Sequence, residues 1–420
     1  MTLISTISEP QSTLAEALSN RPVPKIRIAA FCETTETHDM VALAAIDRRM
    51  MRANIDFQMG GTKTAIRQYS NAPTPDLILL ERQVPGDLLL EELGRLAEVC
   101  DAGTRVLVIG ASNDIRFYRT LMDRGISDYL VSPTDAPTLI TAIGRLYEGA
   151  DAQKLGRTCA FIGAKGGVGS STIAHNVAST LADRLQYDVI LADMDLPFGT
   201  AGLDFNIDSA QGMVEALESG DKLDELLFER LLGKCSERLR MLVAPATLER
   251  PYDLGEEDVD AFVDMARTSA SHVVLDMPHL WSSWARRMLV AADDVVVTAV
   301  PDLANMRNTK SLVEALRKAR PNDAPPRLVL NQIGVPKRPE IKIADFVKAV
   351  GLDPLVAIPF DPKPFGTAAN NGQMIFDVAA RSAKPFAAIS EALLESSGGK
   401  RRGGKGWGFL SRLSPRRRSA

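Results

Sequence analysis

The chain has 420 residues, of which 45% are hydrophobic and 24% charged, a composition that excludes wholesale disorder and leaves ample material for buried cores. At about 150 residues per domain, this length predicts two or three domains. The formal net charge is −4, but eight basic residues and no acidic one follow Glu395, so residues 1–395 carry −12. An acidic body with a basic tail argues against general DNA binding by the folded part.

The four cysteines and the N-terminus predict a cytoplasmic protein. Cys32, Cys100, Cys159 and Cys235 stand far apart with no CxxC pair, as is typical of reduced thiols in the cytosol. The first residues lack the basic segment and apolar run of a secretory signal peptide. No apolar stretch approaches the roughly 18–20 residues that span a bilayer, so any membrane contact is expected to be peripheral.

The first half of the chain alternates short apolar runs with segments of helical length. Residues 1–24 are polar and contain three prolines, which predicts a flexible arm. The predicted strands are 26–33, 54–59, 76–81, 104–110 and 128–132, and the predicted helices are 38–52, 88–100, 113–124 and 136–148. This alternation predicts a small parallel α/β domain over residues 25–148, followed by a linker at 149–156.

A second α/β series occupies residues 157–395. Its predicted strands are 158–163, 188–193, 239–244, 272–276, 294–300, 327–332 and 355–359. They are continuous apolar runs, which are typical of a parallel sheet covered on both faces. Residues 396–420 are rich in Gly, Arg and Ser and are predicted to form a mobile tail.

A glycine-rich loop, Gly163-Ala-Lys-Gly-Gly-Val-Gly-Ser-Ser-Thr172, gives the strongest functional signal. It follows a predicted strand and opens a predicted helix, which is the context of a phosphate-binding loop. Its glycines let successive N–H groups turn inward at the positive end of the helix dipole. The candidate nucleotide-binding residues are Gly166, Gly167, Val168, Gly169, Ser170, Ser171 and Thr172. The alternative is a glycine-rich turn that binds no ligand.

This loop departs from the Walker pattern GxxxxGK[ST] at one important position. Ser170 stands where the pattern has a lysine, so no cation there neutralises the β- and γ-phosphates. Lys165 is the only lysine in the loop. The hydroxyl groups of Ser171 and Thr172 remain, at positions suited to a Mg²⁺ ligand and a phosphate contact.

Three aspartates end predicted strands of the second series. Asp193 and Asp195 close the strand that follows the loop helix, and Asp276 closes a later one. Ligands of open α/β sheets bind outside the carboxyl ends of the strands, where such acids can hold Mg²⁺ through water and orient an attacking water. For each aspartate taken alone, a helix-capping role is the alternative.

These motifs resemble the deviant-Walker ATPases of the MinD/ParA group. Here KGGVGSST keeps the early lysine of that group's loop and loses the later one. Within the group, GAKGGVGSST together with IPFDPKPFGTAANNGQM (358–374) is similar to the CpaE/TadZ proteins of Flp/Tad pilus assembly. The resemblance covers about residues 157–390.

The resemblance implies a P-loop NTPase fold that binds ATP and Mg²⁺ as a homodimer with nucleotide at the interface. Lys165 would reach the partner's phosphates, and Ser171, Asp193 and Asp276 would serve the Mg²⁺. Asp195 would orient water, while Asn331 and Pro359 would contact adenine. With Ser170 in place of the cis lysine, ATP binding is expected more firmly than turnover, because catalysis by cation clamps loses rate when one is missing. ATPase activity is therefore left open.

The first domain resembles a response-regulator receiver, with a flavodoxin-like α/β fold. Receivers end a PDLILLD-like strand in the phosphoacceptor aspartate, whereas residues 75–80 here lead into Glu81. The usual lysine is also missing, since Ser132 precedes Pro133. We therefore expect a pseudo-receiver that does not transfer phosphate and serves protein docking. The alternative is a domain that only packs against its neighbour.

Together these features predict a cytoplasmic, ATP-binding pilus-assembly factor that places the Tad secretion machinery, at the inner membrane or the cell pole. The expected partners are a second copy, the pilus secretion ATPase and other pilus-assembly or polar proteins. Segment 400–418 mixes basic and aromatic residues and is a candidate for peripheral membrane contact. A solvated tail and, less favoured, nucleic-acid binding are its alternatives. The rival functions are a scaffold indifferent to nucleotide and a DNA-partitioning ATPase.

Overall fold

A computed structural model describes residues 22–83, 86–147, 155–207, 212–249, 251–256 and 258–395. The tail predicted at 396–420 and nearly all of the arm predicted at 1–24 lie outside these residues. Most of the linker predicted at 149–156 also lies outside them, so the exact domain boundaries stay predictions.

Five parallel strands form the first sheet, in the spatial order β2-β1-β3-β4-β5. The strands are β1 (Arg27–Cys32), β2 (Asn54–Met59), β3 (Leu77–Arg82), β4 (Arg105–Gly110) and β5 (Asp128–Val131). The helices are α1 (Thr35–Ala45), α2 (Gly61–Tyr69), α3 (Asp87–Ala97), α4 (Ile115–Asp123) and α5 (Ala136–Leu146). Buried side chains form one core on each face of the sheet.

One helix prediction in this domain was wrong, and one helix was not predicted. The helix predicted at 38–52 is α1, which begins at Thr35 and ends at Ala45, followed by a 3₁₀ turn at Arg48–Met50. The break occurs because the Asp47 side chain accepts a hydrogen bond from the Arg49 N–H and so caps a separate turn. Helix α2 was not predicted at all. It begins after Gly60 with φ of 140° and carries mixed polar residues, so its sequence resembles a loop.

The second sheet has eight strands in the order β13-β12-β11-β6-β10-β7-β9-β8. They are β6 (Arg157–Gly163), β7 (Val189–Asp193), β8 (Gly233–Lys234), β9 (Leu239–Leu242), β10 (His272–Asp276), β11 (Asp294–Ala299), β12 (Arg327–Ile333) and β13 (Pro354–Pro359). The predicted strands are confirmed to within two residues. The two-residue β8 was not predicted, and its pairing with β9 is the only antiparallel one among the described strands.

Helices cover both faces of the second sheet. In chain order they are α6 (Ser170–Ser179), α7 (Ala201–Asp204), α8 (Gly212–Ser219), α9 (Glu225–Leu231), α10 (Asp258–Ser269), α11 (Ser283–Ala291), α12 (Leu303–Ala319), α13 (Ile343–Val350), α14 (Pro362–Asn371), α15 (Ile375–Val378) and α16 (Lys384–Glu395). A π-helical turn, Thr180–Arg184, continues α6. The fold is therefore α/β with mostly parallel sheets, as predicted from the sequence.

Strand β6 lies at the centre of the second sheet, between β10 and β11. Its side chains alternate between two cores: Cys159 and Phe161 pack with Ile173 of α6, whereas Ala160 and Ile162 pack on the opposite face. Because β6, β7 and β10 are parallel neighbours, their carboxyl ends meet at one edge of the sheet. This edge carries the candidate site.

A buried arginine joins the first domain to the second. Arg48 Nε donates to both oxygens of Asp323 at 3.0 Å, and its guanidinium lies 3.2 Å from Asp293. Burial alone would raise the pKa of Asp293, but the charges of Arg267 and Arg48 outweigh it and hold that pKa well below its usual range. The two domains therefore meet at an ion-pair cluster with little exposure to water.

Candidate functional site

The glycine-rich loop connects β6 to α6, as the sequence predicted. Gly167 and Gly169 adopt φ of 79° and 86°, a region that only glycine enters readily. A Cβ atom on Gly169 would lie 2.6 Å from Nδ2 of Asn331, so glycine is needed there for space as well as for conformation.

Side chains from three other segments hold the loop by its carbonyl groups. His279 Nδ1 lies 2.9 Å from the Gly163 oxygen, and Asn308 Nδ2 donates to the Ala164 oxygen at 2.9 Å. Gln332 Nε2 donates to the Gly167 oxygen at 3.2 Å, and Asn331 Nδ2 donates to the Val168 oxygen at 2.8 Å. Four carbonyl oxygens of residues 163–168 are therefore in hydrogen-bond contact with side chains from outside the loop.

An open cleft of about 540 Å³ lies over this loop. The predicted site residues that line it are Lys165, Gly166, Gly167, Val168, Gly169, Ser170, Ser171, Thr172, Asp195, Asn331 and Pro359. The structure therefore brings eleven of the thirteen predicted residues to one place. Lys165 is exposed there, whereas Ser170 is 8% exposed and its Oγ has no hydrogen-bond partner within the described residues.

Asp193 and Asp276, the other two predicted residues, lie beneath the cleft and are buried. The Asp193 carboxylate accepts the backbone N–H groups of Asp195 at 3.2 Å and Ala201 at 3.1 Å. Burial raises the pKa of Asp193, and the nearby charge of Asp276 raises it further. Burial likewise raises the pKa of Asp195, which is half-buried at the edge of the cleft.

A buried histidine that the sequence analysis did not single out lies next to these acids. His175 of α6 contacts Asp204 through Nδ1 at 2.6 Å and Asp276 through Nε2 at 3.1 Å. Burial lowers the pKa of His175, but these two hydrogen bonds outweigh it and raise that pKa to about 10. A lone histidine on an apolar helix face has no sequence signal of such a role.

The sequence analysis also missed His279, Asn308 and Gln332, which contact the loop carbonyls. Gln332 directly follows a predicted site residue, and His279 lies three residues after Asp276, so both had a positional signal. Asn308 lies in the middle of α12 and had none, because only the folded chain brings it to the Ala164 carbonyl.

No cluster of three or more His, Cys, Asp or Glu side chains within the described residues forms a ready metal site. The donors nevertheless fit Mg²⁺, which prefers oxygen ligands and keeps several waters. Asp276 Oδ1 is buried and has no hydrogen-bond partner among the described residues, and the Ser171 hydroxyl lines the cleft. Both could serve a hydrated Mg²⁺ bound with a nucleotide.

The first domain holds Glu81 in a closed set of hydrogen bonds at the end of β3. Its Oε2 accepts the N–H groups of Glu33 at 2.7 Å and Thr34 at 2.8 Å, and its Oε1 accepts from Thr34 Oγ1 and Gln83 Nε2, both at 2.7 Å. Burial alone would raise the pKa of Glu81, but the hydrogen bonds from Thr34 and Gln83 lower it. Glu81 is therefore a buried carboxylate whose two oxygens accept four hydrogen bonds.

All four cysteines are free thiols, and no helix within the described residues combines the length and apolar character that crossing a membrane requires.

No family model matches the chain, but individual proteins do. The pilus assembly protein CpaE from Caulobacter crescentus CB15, whose crystal structure is known, is 45% identical to the N-terminal region; the match covers 97% of that chain and 30% of this one, with a TM-score of 0.30. The septum site-determining protein MinD of Helicobacter pylori is 23% identical over 248 residues, which cover 87% of that protein and 55% of this chain.

A ParA family ATPase from Chlorobium tepidum TLS, also known from its crystal structure, matches 57% of this chain and 98% of its own at 23% identity, with a TM-score of 0.50. At that identity the likeness shows the fold alone. The family follows instead from the 45% identity over nearly the whole of the CpaE chain. The protein described here therefore belongs to the CpaE family and is a CpaE-type protein with a MinD/ParA-like fold.

Proposed function

We propose that this protein binds ATP with Mg²⁺ in the cleft and forms a homodimer when nucleotide is bound, as a switch that places the secretion machinery of an Flp/Tad pilus. The broader class, a pilus-assembly or site-determining ATPase, is supported by the relatives. The observation that carries the finer proposal is the orientation of the peptide groups in the glycine-rich loop.

That orientation leaves N–H groups, and not carbonyl oxygens, for a ligand. A trans peptide is planar, so a C=O group and the following N–H point in opposite directions. Because the carbonyls of Ala164, Gly167 and Val168 face Asn308, Gln332 and Asn331, the next N–H groups point away from those side chains. Gly166 and Gly167 form a tight turn, and within the described residues no hydrogen-bond acceptor is found for the N–H groups of residues 165, 166, 167 and 169. Such a set of donors at a helix N-terminus suits a phosphate group.

Binding without the cis lysine rests on these amides, the helix N-terminus and Mg²⁺. Mg²⁺, held through Ser171 and Asp276 with Asp193 nearby, would neutralise phosphate charge when bound. Lys165 is exposed and lines the cleft, and in this proposal it contacts the phosphates of a second copy's nucleotide. Asp195 at the edge of the cleft can orient water for hydrolysis of ATP. Hydrolysis is expected to be slow, because Ser170 replaces the lysine that would neutralise the phosphates.

The surroundings of the cleft favour a dimer. Four large apolar side chains near it are about half or more exposed to water: Phe198 (65%), Leu248 (70%), Leu280 (52%) and Trp281 (49%). The first three line a second cavity of about 560 Å³ that shares Asp195 and His279 with the nucleotide cleft. A cluster of large apolar side chains in water is typical of an interaction surface. ATP contacts present only in the dimer would stabilise it.

The receiver-like domain serves docking in this proposal. The Glu81 carboxylate accepts four hydrogen bonds, so it is held in place and is not available as a phosphate acceptor. Its partners would be the pilus secretion ATPase and other pilus-assembly or polar proteins. We place the protein in the cytoplasm, at the inner membrane or a cell pole, with segment 400–418 as the membrane contact; that segment lies outside the described residues.

Titration of the full chain with a fluorescent ATP analogue, with and without Mg²⁺, tests the binding step. We expect saturable, Mg²⁺-dependent binding. Absence of saturable binding would favour the scaffold that is indifferent to nucleotide. A parallel titration with duplex DNA at several salt concentrations tests the DNA-partitioning alternative, for which a steep salt dependence is expected.

Sedimentation with and without ATP tests the dimer. Lys165→Ala should keep the protein monomeric in the presence of ATP, because it removes the cation offered to the second copy. Lys318→Ala, which removes an exposed lysine of α12 far along the chain from the loop, is the matched control and should dimerise like wild type. If Lys165→Ala dimerises as wild type does, the proposed role of this lysine is wrong.

A further inference from the structure

His175 bridges two acidic side chains that belong to different segments. It lies on α6, five residues after Ser170, and its side chain is fully buried. Asp204 is the last residue of α7, and Asp276 is the last residue of β10. The loop helix, the segment after β7 and the end of β10 therefore meet at one imidazole ring.

Both ring nitrogens of His175 face carboxylate oxygens, at 2.6 Å from Asp204 and 3.1 Å from Asp276. Ionised carboxylates only accept hydrogen bonds, so both contacts are satisfied when each nitrogen carries a proton. The arrangement thus fixes the ring in one orientation. It also occupies Asp276 Oδ2 and leaves Oδ1, which has no partner within the described residues.

The two acids lead directly into the walls of the cleft. Asp276 is followed by Met277, Pro278 and His279, which line the cleft, and its backbone oxygen accepts the Met194 N–H at 3.0 Å. Asp204 ends the short helix that begins at Ala201, whose N–H is held by Asp193. Through its two contacts, His175 is connected to both loops beside the phosphate-binding loop.

We propose that His175 is a positioning residue: it holds Asp276 and Asp204 in place so that the free oxygen of Asp276 and the loop after β10 are set for Mg²⁺ and nucleotide. The proposal rests on the nucleotide binding proposed above. It goes further in assigning a role to a residue outside the glycine-rich loop and the three strand-end aspartates. The competing explanation is that His175 only stabilises the core as a buried ion pair.

The chain offers a matched control for that competing explanation. His272 is the first residue of β10, at the opposite end of the same strand, and is 5% exposed. Both of its ring nitrogens lack hydrogen-bond partners within the described residues. His272→Gln and His175→Gln each remove a buried imidazole, from β10 itself and from the helix that packs on it. Only His175 contacts the acids near the cleft.

The first measurement is the Mg²⁺ concentration at half-maximal binding of a fluorescent ATP analogue. His175→Gln and Asp204→Asn should each raise it by about tenfold, as is usual when a partner that orients a metal ligand is lost. The double variant should match the single ones, since the two side chains act as a unit. His272→Gln should leave the Mg²⁺ requirement unchanged even where its thermal stability is lowered.

The second measurement needs no nucleotide. Trp281 follows Asp276 by five residues, so acrylamide quenching of its fluorescence, in a Trp284→Phe and Trp407→Phe background, reports the position of that loop. Quenching should increase in His175→Gln and not in His272→Gln. If both quenching and Mg²⁺ dependence are unchanged in His175→Gln, the positioning role is wrong. If quenching changes but wild type binds no nucleotide, the proposed ATP binding fails while the positioning role stands.

Discussion

Three glycines of the phosphate-binding loop form a graded series for testing whether its shape is required. Gly166 has ordinary φ and open space where the methyl group of an alanine would lie, so alanine there meets no obstacle. Gly167 has open space but φ of 79°. Gly169 combines φ of 86° with the 2.6 Å approach to Asn331 Nδ2.

The cost of each alanine follows from these geometries. Gly166→Ala should be neutral or slightly stabilising, because alanine restricts the unfolded chain, an effect of about 0.4–1 kcal/mol. Gly167→Ala adds the cost of a left-handed residue, about 1–2 kcal/mol. Gly169→Ala adds to that cost the displacement of Asn331 and the loss of its bond to Val168, about 0.5–1.5 kcal/mol. Nucleotide binding that must restore the native loop at a cost of about 2 kcal/mol weakens by about 30-fold.

Urea unfolding and titration with a fluorescent ATP analogue measure the two effects on the same three variants. The expected order of damage, to stability and to affinity, is Gly166→Ala, then Gly167→Ala, then Gly169→Ala. Equal nucleotide affinity in Gly169→Ala and Gly166→Ala would show that the loop's shape does not hold the ligand. The reasoning from amide orientation would then be refuted.

Three further predictions concern the domain contact, the receiver-like domain and pH. Arg48→Ala removes the one cation that contacts both Asp293 and Asp323, and leaves Asp293 with Arg267 and Asp323 with Arg320. It should lower the free energy of unfolding in urea by about 3 kcal/mol, the lower end for a broken buried ion pair, against almost no change for the exposed Arg119→Ala; equal stability of the two would contradict the ion-pair cluster. Glu81→Gln replaces one acceptor oxygen by an NH₂ donor that faces other donors at the end of β3, and it should lower the free energy of unfolding by about 1.5–3 kcal/mol in the same assay, while nucleotide affinity stays at the wild-type value; a drop in affinity would argue that the two domains are coupled. Burial, with the charge of Arg157 as a second cause, lowers the pKa of His272 in the folded protein to about 4. In the unfolded chain the same imidazole is protonated at about pH 6.5, so the unfolded state binds more protons between these pH values. The free energy of unfolding should therefore fall by about 3 kcal/mol as the pH drops from about 6.5 to 4. His272→Leu should lose less stability over that pH range, and an identical pH profile would show that another group is responsible.

Regular local patterns were enough to predict most of the fold. The strand β10, for example, is a run of apolar residues, and a parallel strand covered on both faces has that composition wherever it occurs. Helix α2 was not predicted from such patterns, because Gly60, Gly61 and the polar residues that follow resemble a loop. Packing against β1 and β3 makes this segment helical. The prediction of one helix over 38–52 was wrong because α1 ends at Ala45 and the Asp47 side chain then caps a separate 3₁₀ turn.

The glycine-rich loop could be predicted because its chemistry is continuous in sequence. The spacing of glycines and hydroxyl groups between a strand and a helix is enough to imply a phosphate site, and the strand-end aspartates follow from the geometry of parallel sheets. The missing lysine at Ser170 was equally visible. These features required no knowledge of which segments meet in space.

Tertiary structure alone decided the partners that come from far along the chain. Asn308 and Gln332 lie more than 140 residues after the loop carbonyls that they hold, and His175 meets Asp276 across 101 residues. The contact of Arg48 with Asp293 spans 245 residues and joins two separate sheets. The sequence around a polar residue does not indicate which distant residue will be its partner. Hydrogen bonds and ion pairs act over a few ångströms, so they depend on how the helices and sheets pack.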